Sequence, residues 1–379
     1  MTIKRSRRAF LKSAASAAAA FPMLNLGAFA VSADSERKYS ARVMALMERA
    51  LVIDMLGVMT VRFDLSYWTR KLSEQDAQSL RDSGVTVLHN AIGSGGPNAH
   101  ASAMTYFAMM NGFIARNSEL LLFVDKVTDI DRAKEMGKIA VILGLQNSEH
   151  FRTVDDVPLF HGLGQRCAQL TYNTQNYYGS GSTDRADGGV SDAGVRLIEK
   201  MNEAGMLVDV SHCGDRTTLD AIEISKKPIA ITHSNCRALN DHPRLKTDEA
   251  IRKLAAKGGV MGISGVRNFV RDREPTTVEH IVDHIDHVVK LVGIEHVGIG
   301  TDSDLYGYDD MSPEEIQRAK SFYESSYRFR DKLDTDGFDD PLRFYNLTEA
   351  LVRRGYSDAH IEAILGGNFR RLLSEVWKA

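Results

Sequence analysis

The chain alternates short apolar runs with longer amphipathic stretches. The short runs are rich in β-branched residues, as the buried strands of a parallel sheet are. There are eight of them, and we predict strands over residues 51–56, 85–91, 139–145, 167–172, 206–212, 228–234, 258–264 and 296–302. The stretches between them bury one helical face and expose Lys, Arg, Glu and Asp. They predict helices over residues 73–83, 192–204, 216–225, 247–257 and 278–292.

Eight strand–helix units predict one architecture. Their number and combined length are typical of an α/β fold of the TIM (β/α)8 barrel type. After residue 40 we find no repeat, linker or low-complexity segment that would divide the chain. Residues 34–379 are therefore predicted to form a single barrel domain.

The amino terminus has the pattern of an export signal. Residues 4–12 are strongly basic, and the Ala-rich apolar run over residues 13–33 contains no acid before Asp34. The pair Arg7 and Arg8, followed by Phe-Leu-Lys, matches the twin-arginine pattern. We therefore predict that residues 1–33 are a twin-arginine signal peptide, that its partner is the twin-arginine translocation machinery, and that the mature protein is periplasmic.

Composition and charge exclude several classes of protein. Hydrophobic residues make up 43% of the 379 residues and charged residues 26%, which is ordinary for a globular protein. Lys+Arg number 47 and Asp+Glu 50, giving a net charge of −3, and loss of the signal peptide would make it about −8. Such a chain is not expected to bind nucleic acid. Three cysteines do not form a disulfide framework.

Polar side chains end three of the predicted strands. His212 and His233 each follow an apolar run, and Asp302 ends the eighth. In TIM barrels the carboxyl ends of the strands carry the chemistry. Imidazoles and a carboxylate that converge there suit Zn²⁺, so we predict a metal-dependent hydrolase type of barrel rather than three isolated strand-end hydrogen bonds.

Longer motifs point to a particular family. The chain carries, in order, Asp-Gly-Gly-Val-Ser-Asp-Ala-Gly at 187–194, Met-Asn at 201–202, Gly-Met-Leu-Val-Asp-Val-Ser-His at 205–212, Thr-His-Ser-Asn-Cys-Arg-Ala-Leu at 232–239, His-Pro-Arg at 242–244, Gly-Ile-Gly-Thr-Asp-Ser-Asp at 298–304 and Gly-Gly-Asn-Phe at 366–369. Over residues 50–375 this series resembles the membrane (renal-type) dipeptidase family, peptidase family M19. The resemblance implies a TIM barrel with a two-zinc centre that hydrolyses dipeptides, and it implies that a homodimer can form.

The resemblance also implies roles for individual residues. His212 and His233 match the two histidines of the second metal. Arg237 matches the arginine that holds the substrate carboxylate. Asp302 matches the acidic residue of the eighth strand, which engages the substrate and the metal-bound water.

Three positions depart from the family pattern. The family reads Asp-Gly-His-x-Asp at the first strand, where its His and second Asp bind the first zinc, whereas residues 54–58 read Asp-Met-Leu-Gly-Val. Gln146 stands where the family has the Glu that bridges both metals, and Tyr172 stands where it has a His. A phenol donates a hydrogen bond but carries no positive charge at neutral pH.

These departures predict a site with one zinc ion. His212 and His233 would hold it, with Gln146 as a weak third candidate. Asp302 would orient or deprotonate the water, Arg237 would bind an anionic group, and Tyr172 would contact the substrate and take the oxyanion-stabilising place. The expected function is an exported zinc-dependent hydrolase of dipeptides or a related small amide. The alternatives are a periplasmic enzyme of another reaction class that tailors a peptide product, or a binding homologue without catalysis.

Other residues leave alternatives open. Glu149 and His150 are either substitute ligands or a solvated loop pair, and we favour the loop. Cys236 is either a soft ligand or a packed small side chain, and packing is favoured. Cys213 is read as core. The histidines at helical spacing in residues 280–287 are read as packing on an outer helix.

Overall fold

The computed structural model describes residues 29–31, 38–61, 65–93, 95–322 and 327–377. The predicted signal peptide, apart from residues 29–31, lies outside the described residues and stays a prediction. Within the described ranges, no helix combines the length and the apolar character needed to cross a membrane.

Eight parallel strands close into a barrel. The strands of the ring, in spatial order, are β3 (Ile53–Asp54), β4 (Val87–Ile92), β6 (Ile139–Leu145), β7 (Gln165–Gln169), β8 (Leu207–Asp209), β9 (Ala230–Ser234), β10 (Val260–Ile263) and β11 (Val297–Ile299). β11 pairs in parallel with β3, through Ile299 and Asp54, and this pairing closes the ring. The TIM barrel and all eight predicted strands are confirmed, although each strand is shorter or shifted at its ends, except β6.

Three strands lie outside the predicted set. β5 (Leu121–Phe123) pairs in parallel with the first residues of β6, beside the ring. β1 (Phe29–Val31) and β2 (Lys38–Ser40) form an antiparallel pair before the barrel. The run at β5 has only three residues, which is too short for a hydrophobic pattern to distinguish it from a loop.

Helices follow the strands around the outside. They are Ala41–Arg49, Glu74–Asp82, Ala99–Arg116, Thr128–Glu135, Asp156–Gly162, Asp192–Ala204, Asp215–Ile224, Asp248–Ala256, Arg267–Val270, Val278–Val292, Pro313–Phe322, Arg343–Arg354, Asp358–Glu362 and Asn368–Val376. Several begin after a capping hydroxyl: Ser191 accepts from Gly194 N–H at 3.0 Å and Thr247 accepts from Ala250 N–H at 3.2 Å. Gly205, at φ 79°, ends one of them in the left-handed region. The helices predicted at 192–204 and 278–292 are confirmed with identical bounds.

The last helix closes the amino-terminal end of the barrel. Its apolar residues, Phe369, Leu372, Leu373 and Val376, pack with strand residues such as Ile53, Ile142 and Val260 in one buried cluster. Asn368 donates to the carbonyl of Val297 at 2.7 Å, at the start of β11. Because this end is filled with apolar side chains, the opening of the barrel lies at the carboxyl ends of the strands.

Candidate active site at the barrel mouth

Two histidines face each other at the mouth. His233 lies in β9, and His212 lies three residues after β8. Their Nε2 atoms are 2.9 Å apart, and both side chains are buried. The structure therefore brings together the two predicted metal ligands.

Asn173 fixes the orientation of His212. Its Oδ1 accepts from Nδ1–H of His212 at 2.6 Å, and it also accepts from the hydroxyl of Tyr327 at 3.1 Å. Asn173 adopts a left-handed backbone conformation, with φ 62°, which asparagine tolerates better than most residues. Since Nδ1 of His212 carries the proton, its Nε2 presents a lone pair.

A relay of two side chains fixes the orientation of His233. The hydroxyl of Thr232 donates to Oδ2 of Asp209 at 2.8 Å, so its oxygen accepts from Nδ1–H of His233, also at 2.8 Å. Asp209 is held in turn by the N–H of Thr232 and by the hydroxyl of Ser211, at 3.0 and 2.6 Å. His233 Nε2 therefore also presents a lone pair.

Two lone pairs that face each other at this distance repel unless a proton or a metal ion lies between them. Burial, together with the nearby cation of Arg244, lowers the pKa of both His212 and His233 well below the ordinary value of 6.5, which disfavours a shared proton. Two nitrogen ligands of a tetrahedral zinc ion are about 3.3 Å apart, close to the distance observed here. The pair fits one metal ion.

The two histidines have no third His, Cys, Asp or Glu beside them. Among residues 38–61, 65–93, 95–322 and 327–377, no group of three such side chains gathers at a point where it would hold a metal, so His212 and His233 stand as a pair of donors. Leu56 is an apolar, buried side chain, and Val58 is apolar and partly buried. The Nε2–H of Gln146 donates to the Ala91 carbonyl at 3.0 Å, while its buried Oε1 has no hydrogen-bond partner and is the atom with which it would bind a cation.

Asp302 and Tyr172 border the same cavity as His212. Burial raises the pKa of Asp302 to about 7, and the carboxylates of Asp54 and Asp209 add to the shift. Its backbone N–H donates to the carbonyl of Leu56 at 2.8 Å, and its φ is 62°. The ring of Tyr172 stacks on the imidazole of His212, with centroids 4.2 Å apart. Both residues lie where the sequence analysis places them.

Arg237 does not border the cavity. Its guanidinium forms a two-pronged ion pair with Asp215, at 2.5 and 2.8 Å, and also donates to the carbonyls of Pro243 and Leu245. The prediction that Arg237 holds the substrate carboxylate therefore has no support in this geometry, because its donors are committed within its own loop and to Asp215.

Arg244, in the same loop, lies close to the histidines although it does not border the cavity, since it contacts the backbone beside both of them. It is fully buried and donates to the carbonyls of Ser211 and His233. Its Nε–H has no hydrogen-bond partner. Because it acts on the pKa of both histidines and of Asp302, its charge lies at the site.

Glu149 and His150 are not metal ligands in this arrangement. Glu149 accepts from the N–H of Gly96 at 2.7 Å, in a loop at the mouth. His150 bonds to Gln165 Oε1 at 3.0 Å, and burial lowers its pKa to about 3. Cys213 and Cys236 are both buried in the apolar core.

A cavity lies beside His212 at the mouth of the barrel. Its lining is mostly apolar and aromatic. The lining residues are Tyr172, His212, Val266, Phe269, Asp302, Tyr308, Lys320, Tyr327, Phe329 and Leu333.

Comparison with known proteins decides the family. The model of the membrane dipeptidase family, peptidase family M19, matches residues 40–324. The chain belongs to this family. Membership of M19 agrees with the motifs at His212, His233 and Asp302.

Named relatives of this M19 chain are similar over most of its length. Dipeptidase verJ of Clonostachys rogersoniana is 30% identical over 278 residues, which are 73% of this chain and 65% of verJ. Dipeptidase tcpJ of Claviceps purpurea is 30% identical over 263 residues, 68% of this chain and 56% of tcpJ. The match thus spans less than two thirds of either relative.

Solved structures share the barrel. An amidohydrolase from Pseudomonas aeruginosa is 28% identical, with a TM-score of 0.77 over 88% of this chain and 99% of that one. The probable dipeptidase PvdM from the same organism is 21% identical, with a TM-score of 0.73 over 88% of this chain and 97% of that one, which shows a common fold.

Sequence reasoning missed the residues that orient the two M19 histidines. Asp209 and Thr232 lie inside the motifs used for recognition, three residues before His212 and one before His233, so a search for hydrogen-bond partners next to each ligand would have found them. Asn173 had no such signal, because a loop brings it to the mouth. Arg244 lies inside the His-Pro-Arg motif at 242–244, but the resemblance was matched to Arg237 instead.

Proposed function

We propose that this protein is a zinc-dependent dipeptidase with a one-ion site. His212 and His233 would hold the ion, and the substrate would be a dipeptide or a related small amide. The observation that carries the proposal is the pair of Nε2 lone pairs, 2.9 Å apart, each imposed by a hydrogen bond on the opposite ring nitrogen. Membership of M19 supports a hydrolytic function.

The chain's own residues have separable roles in this reaction. A zinc ion, when bound, polarises a carbonyl and makes a bound water more acidic. Asp302 accepts a proton from the attacking water and passes it to the leaving amine nitrogen as the C–N bond breaks. Its raised pKa suits both transfers near neutral pH. The products are a carboxylic acid and an amine, which become a carboxylate and an ammonium group by transfer of the remaining proton.

Two further side chains act on the substrate. The phenol of Tyr172, beside His212, donates a hydrogen bond to the carbonyl oxygen as negative charge develops on it. We assign the substrate carboxylate to Arg244, because its charge acts on both histidines and on Asp302 and its Nε–H has no hydrogen-bond partner.

Export completes the proposal. We infer that the twin-arginine pattern at Arg7 and Arg8 directs a folded chain to the periplasm, where small peptides are its substrates.

One observation favours a second candidate. Leu56, Val58 and Gln146 stand where the family's first-metal ligands are expected, and none of them is a carboxylate or an imidazole. A chain that has lost these ligands is compatible with a peptide-binding homologue, or with an enzyme that modifies a peptide by another reaction.

Metal-restored hydrolysis separates the two candidates. The mature protein would be stripped with a chelator, reloaded with zinc and assayed on L,L- and L,D-dipeptides. We expect turnover that zinc restores and that His233→Ala abolishes. His287→Ala is the matched control, since His287 pairs with Asp248 on an outer helix at 2.8 Å. Folded, zinc-loaded protein that cleaves none of the dipeptides would overturn the dipeptidase proposal and favour the binding homologue.

A further inference from the structure

One of the hydrogen bonds to Asn173 comes from a segment far along the chain. The hydroxyl of Tyr327 donates to Oδ1 of Asn173 at 3.1 Å, and the same oxygen accepts from Nδ1–H of His212 at 2.6 Å. Tyr327 lies 154 residues after Asn173, in the stretch between β11 and the helix Arg343–Arg354. A residue from this late stretch therefore contacts the side chain that orients a proposed metal ligand.

Tyr327 is fixed both at its backbone and at its ring. Its carbonyl accepts from Nδ2–H of Asn268 at 2.7 Å and from Nε2–H of His242 at 2.9 Å. Its ring contacts that of Phe269 edge to face, with centroids 5.5 Å apart, and the residue is only 4% exposed. Because the hydroxyl oxygen lies on the axis of this fixed ring, it stays beside Asn173.

The amide of Asn173 has two orientations of nearly the same shape. With Oδ1 towards His212, as observed, the amide accepts from Nδ1–H and leaves a lone pair on Nε2. With Nδ2 towards His212, it would donate to Nδ1, and the ring proton would move to Nε2. That proton would then form a hydrogen bond to Nε2 of His233, 2.9 Å away, in the place of a metal ion. The orientation of one amide thus decides whether His212 is ready to bind a cation.

We propose that Tyr327 is a positioning residue that selects the amide orientation of Asn173 and, through it, the metal-binding tautomer of His212. The hydroxyl donates to Oδ1 and so stabilises the observed orientation. In the other orientation Nδ2–H would face the hydroxyl, which could no longer donate there. This inference rests on the proposed function, which places a zinc ion at His212.

Zinc affinity tests this role. Tyr327→Phe keeps the ring and removes the hydroxyl, so part of the metal-free protein should relax to the orientation that places the proton on Nε2 of His212. Only the remaining fraction is competent to bind zinc. Because one hydrogen bond favouring that fraction is lost, we expect zinc affinity to fall about three- to tenfold, measured by competition with a chromophoric chelator.

Steady-state kinetics distinguish this role from a contact with the substrate, since Tyr327 also lines the cavity. At saturating zinc, kcat of Tyr327→Phe for dipeptides should stay within about twofold of the wild-type value, because bound zinc selects the competent orientation. A higher KM with unchanged zinc affinity would place the hydroxyl on the substrate instead and would overturn the inference.

Two further variants isolate the effect of the amide. Tyr39→Phe is the matched control and should leave zinc affinity unchanged, because the hydroxyl of Tyr39 also donates to an asparagine Oδ1, that of Asn346 at 2.8 Å, outside the cavity lining. Asn173→Asp has an acceptor oxygen at both ends and tolerates the left-handed backbone at this position, φ 62°. In that background Tyr327→Phe should change zinc affinity by less than about twofold. A loss as large as in the parent protein would contradict the role of the amide.

The metal-free protein separates a failure of this inference from a failure of the dipeptidase proposal. Nitrogen NMR of protein with isotope-labelled histidine shows which ring nitrogen of His212 carries the proton, and it needs neither zinc nor a substrate. The signal of His212 is identified by its loss in His212→Gln. We expect the Nδ1–H form in the wild type and a measurable fraction of the Nε2–H form in Tyr327→Phe, even if no dipeptide is cleaved. The same tautomer population in both proteins would overturn the inference, whether or not zinc binds.

Discussion

Thr232 offers a direct test of the relay that orients His233. Its hydroxyl is fully buried and joins Nδ1 of His233 to Oδ2 of Asp209, at 2.8 Å on each side. Thr232→Val keeps the shape of the side chain and removes both hydrogen bonds. The backbone N–H of Thr232, which donates to the other oxygen of Asp209, is unchanged.

Two consequences follow, each with a magnitude. A buried polar group left without a partner costs about 1–3 kcal/mol, and two such groups are created, so we expect the free energy of unfolding to fall by at least about 2 kcal/mol. His233 is also released to take the other tautomer. Loss of a hydrogen-bond partner behind a metal-bound histidine weakens metal binding by about 10- to 100-fold.

The assay measures both quantities on the same preparation. Urea unfolding of the metal-free protein gives the stability change, and competition with a chromophoric chelator gives the zinc affinity. Thr348→Val is the control, because Thr348 is equally buried, its hydroxyl donates to the carbonyl of Phe344 at 2.7 Å, and it lies on a helix away from the mouth. If Thr232→Val lost stability but kept wild-type zinc affinity, the relay would not act on a metal ligand.

Three more predictions use the same site. Burial raises the pKa of Asp302 from 3.8 to about 7, so between these pH values the metal-free folded chain holds a proton that the unfolded chain releases. The free energy of unfolding of the wild type, measured in urea relative to Asp302→Asn, should therefore fall from about pH 4 to 7. The same pH dependence in both proteins would contradict this. Arg244→Lys should raise the KM for dipeptides about tenfold or more, whereas Arg237→Lys should not. Equal effects of the two substitutions in steady-state assays would refute the assignment of Arg244 to the substrate carboxylate. Installing Asp-Gly-His-Gly-Asp at 54–58 together with Gln146→Glu should create a second zinc site, detected by elemental analysis, and raise dipeptidase activity. A folded variant with no gain in activity would count against the dipeptidase proposal.

The barrel could be predicted because its signal is local. Most strands of the ring are short apolar runs, which the sequence shows without knowledge of the loops. β7 is the exception, because it reads Gln-Arg-Cys-Ala-Gln. β6 was predicted with its observed bounds, since all seven of its residues are buried and none interrupts the apolar run. β5 was not predicted, because three residues give too little periodicity.

The site was predictable only where a strand carries it. His233 lies in β9, and His212 and Asp302 lie three residues after β8 and β11, so the ring fixes their positions. Arg237 and Arg244 lie in the same loop, and its fold decides between them: Lys246 N–H donates to the carbonyl of Asn235 at 2.9 Å, which turns the loop back on itself. The local pattern of residues does not predict that contact.

The central claim is that His212 and His233 hold one metal ion. A crystal structure of the zinc-loaded protein, with diffraction data on both sides of the zinc absorption edge, tests it most directly. We expect one anomalous peak, between the Nε2 atoms of His212 and His233. The absence of a peak there, or a second peak near Leu56 and Gln146, would contradict it.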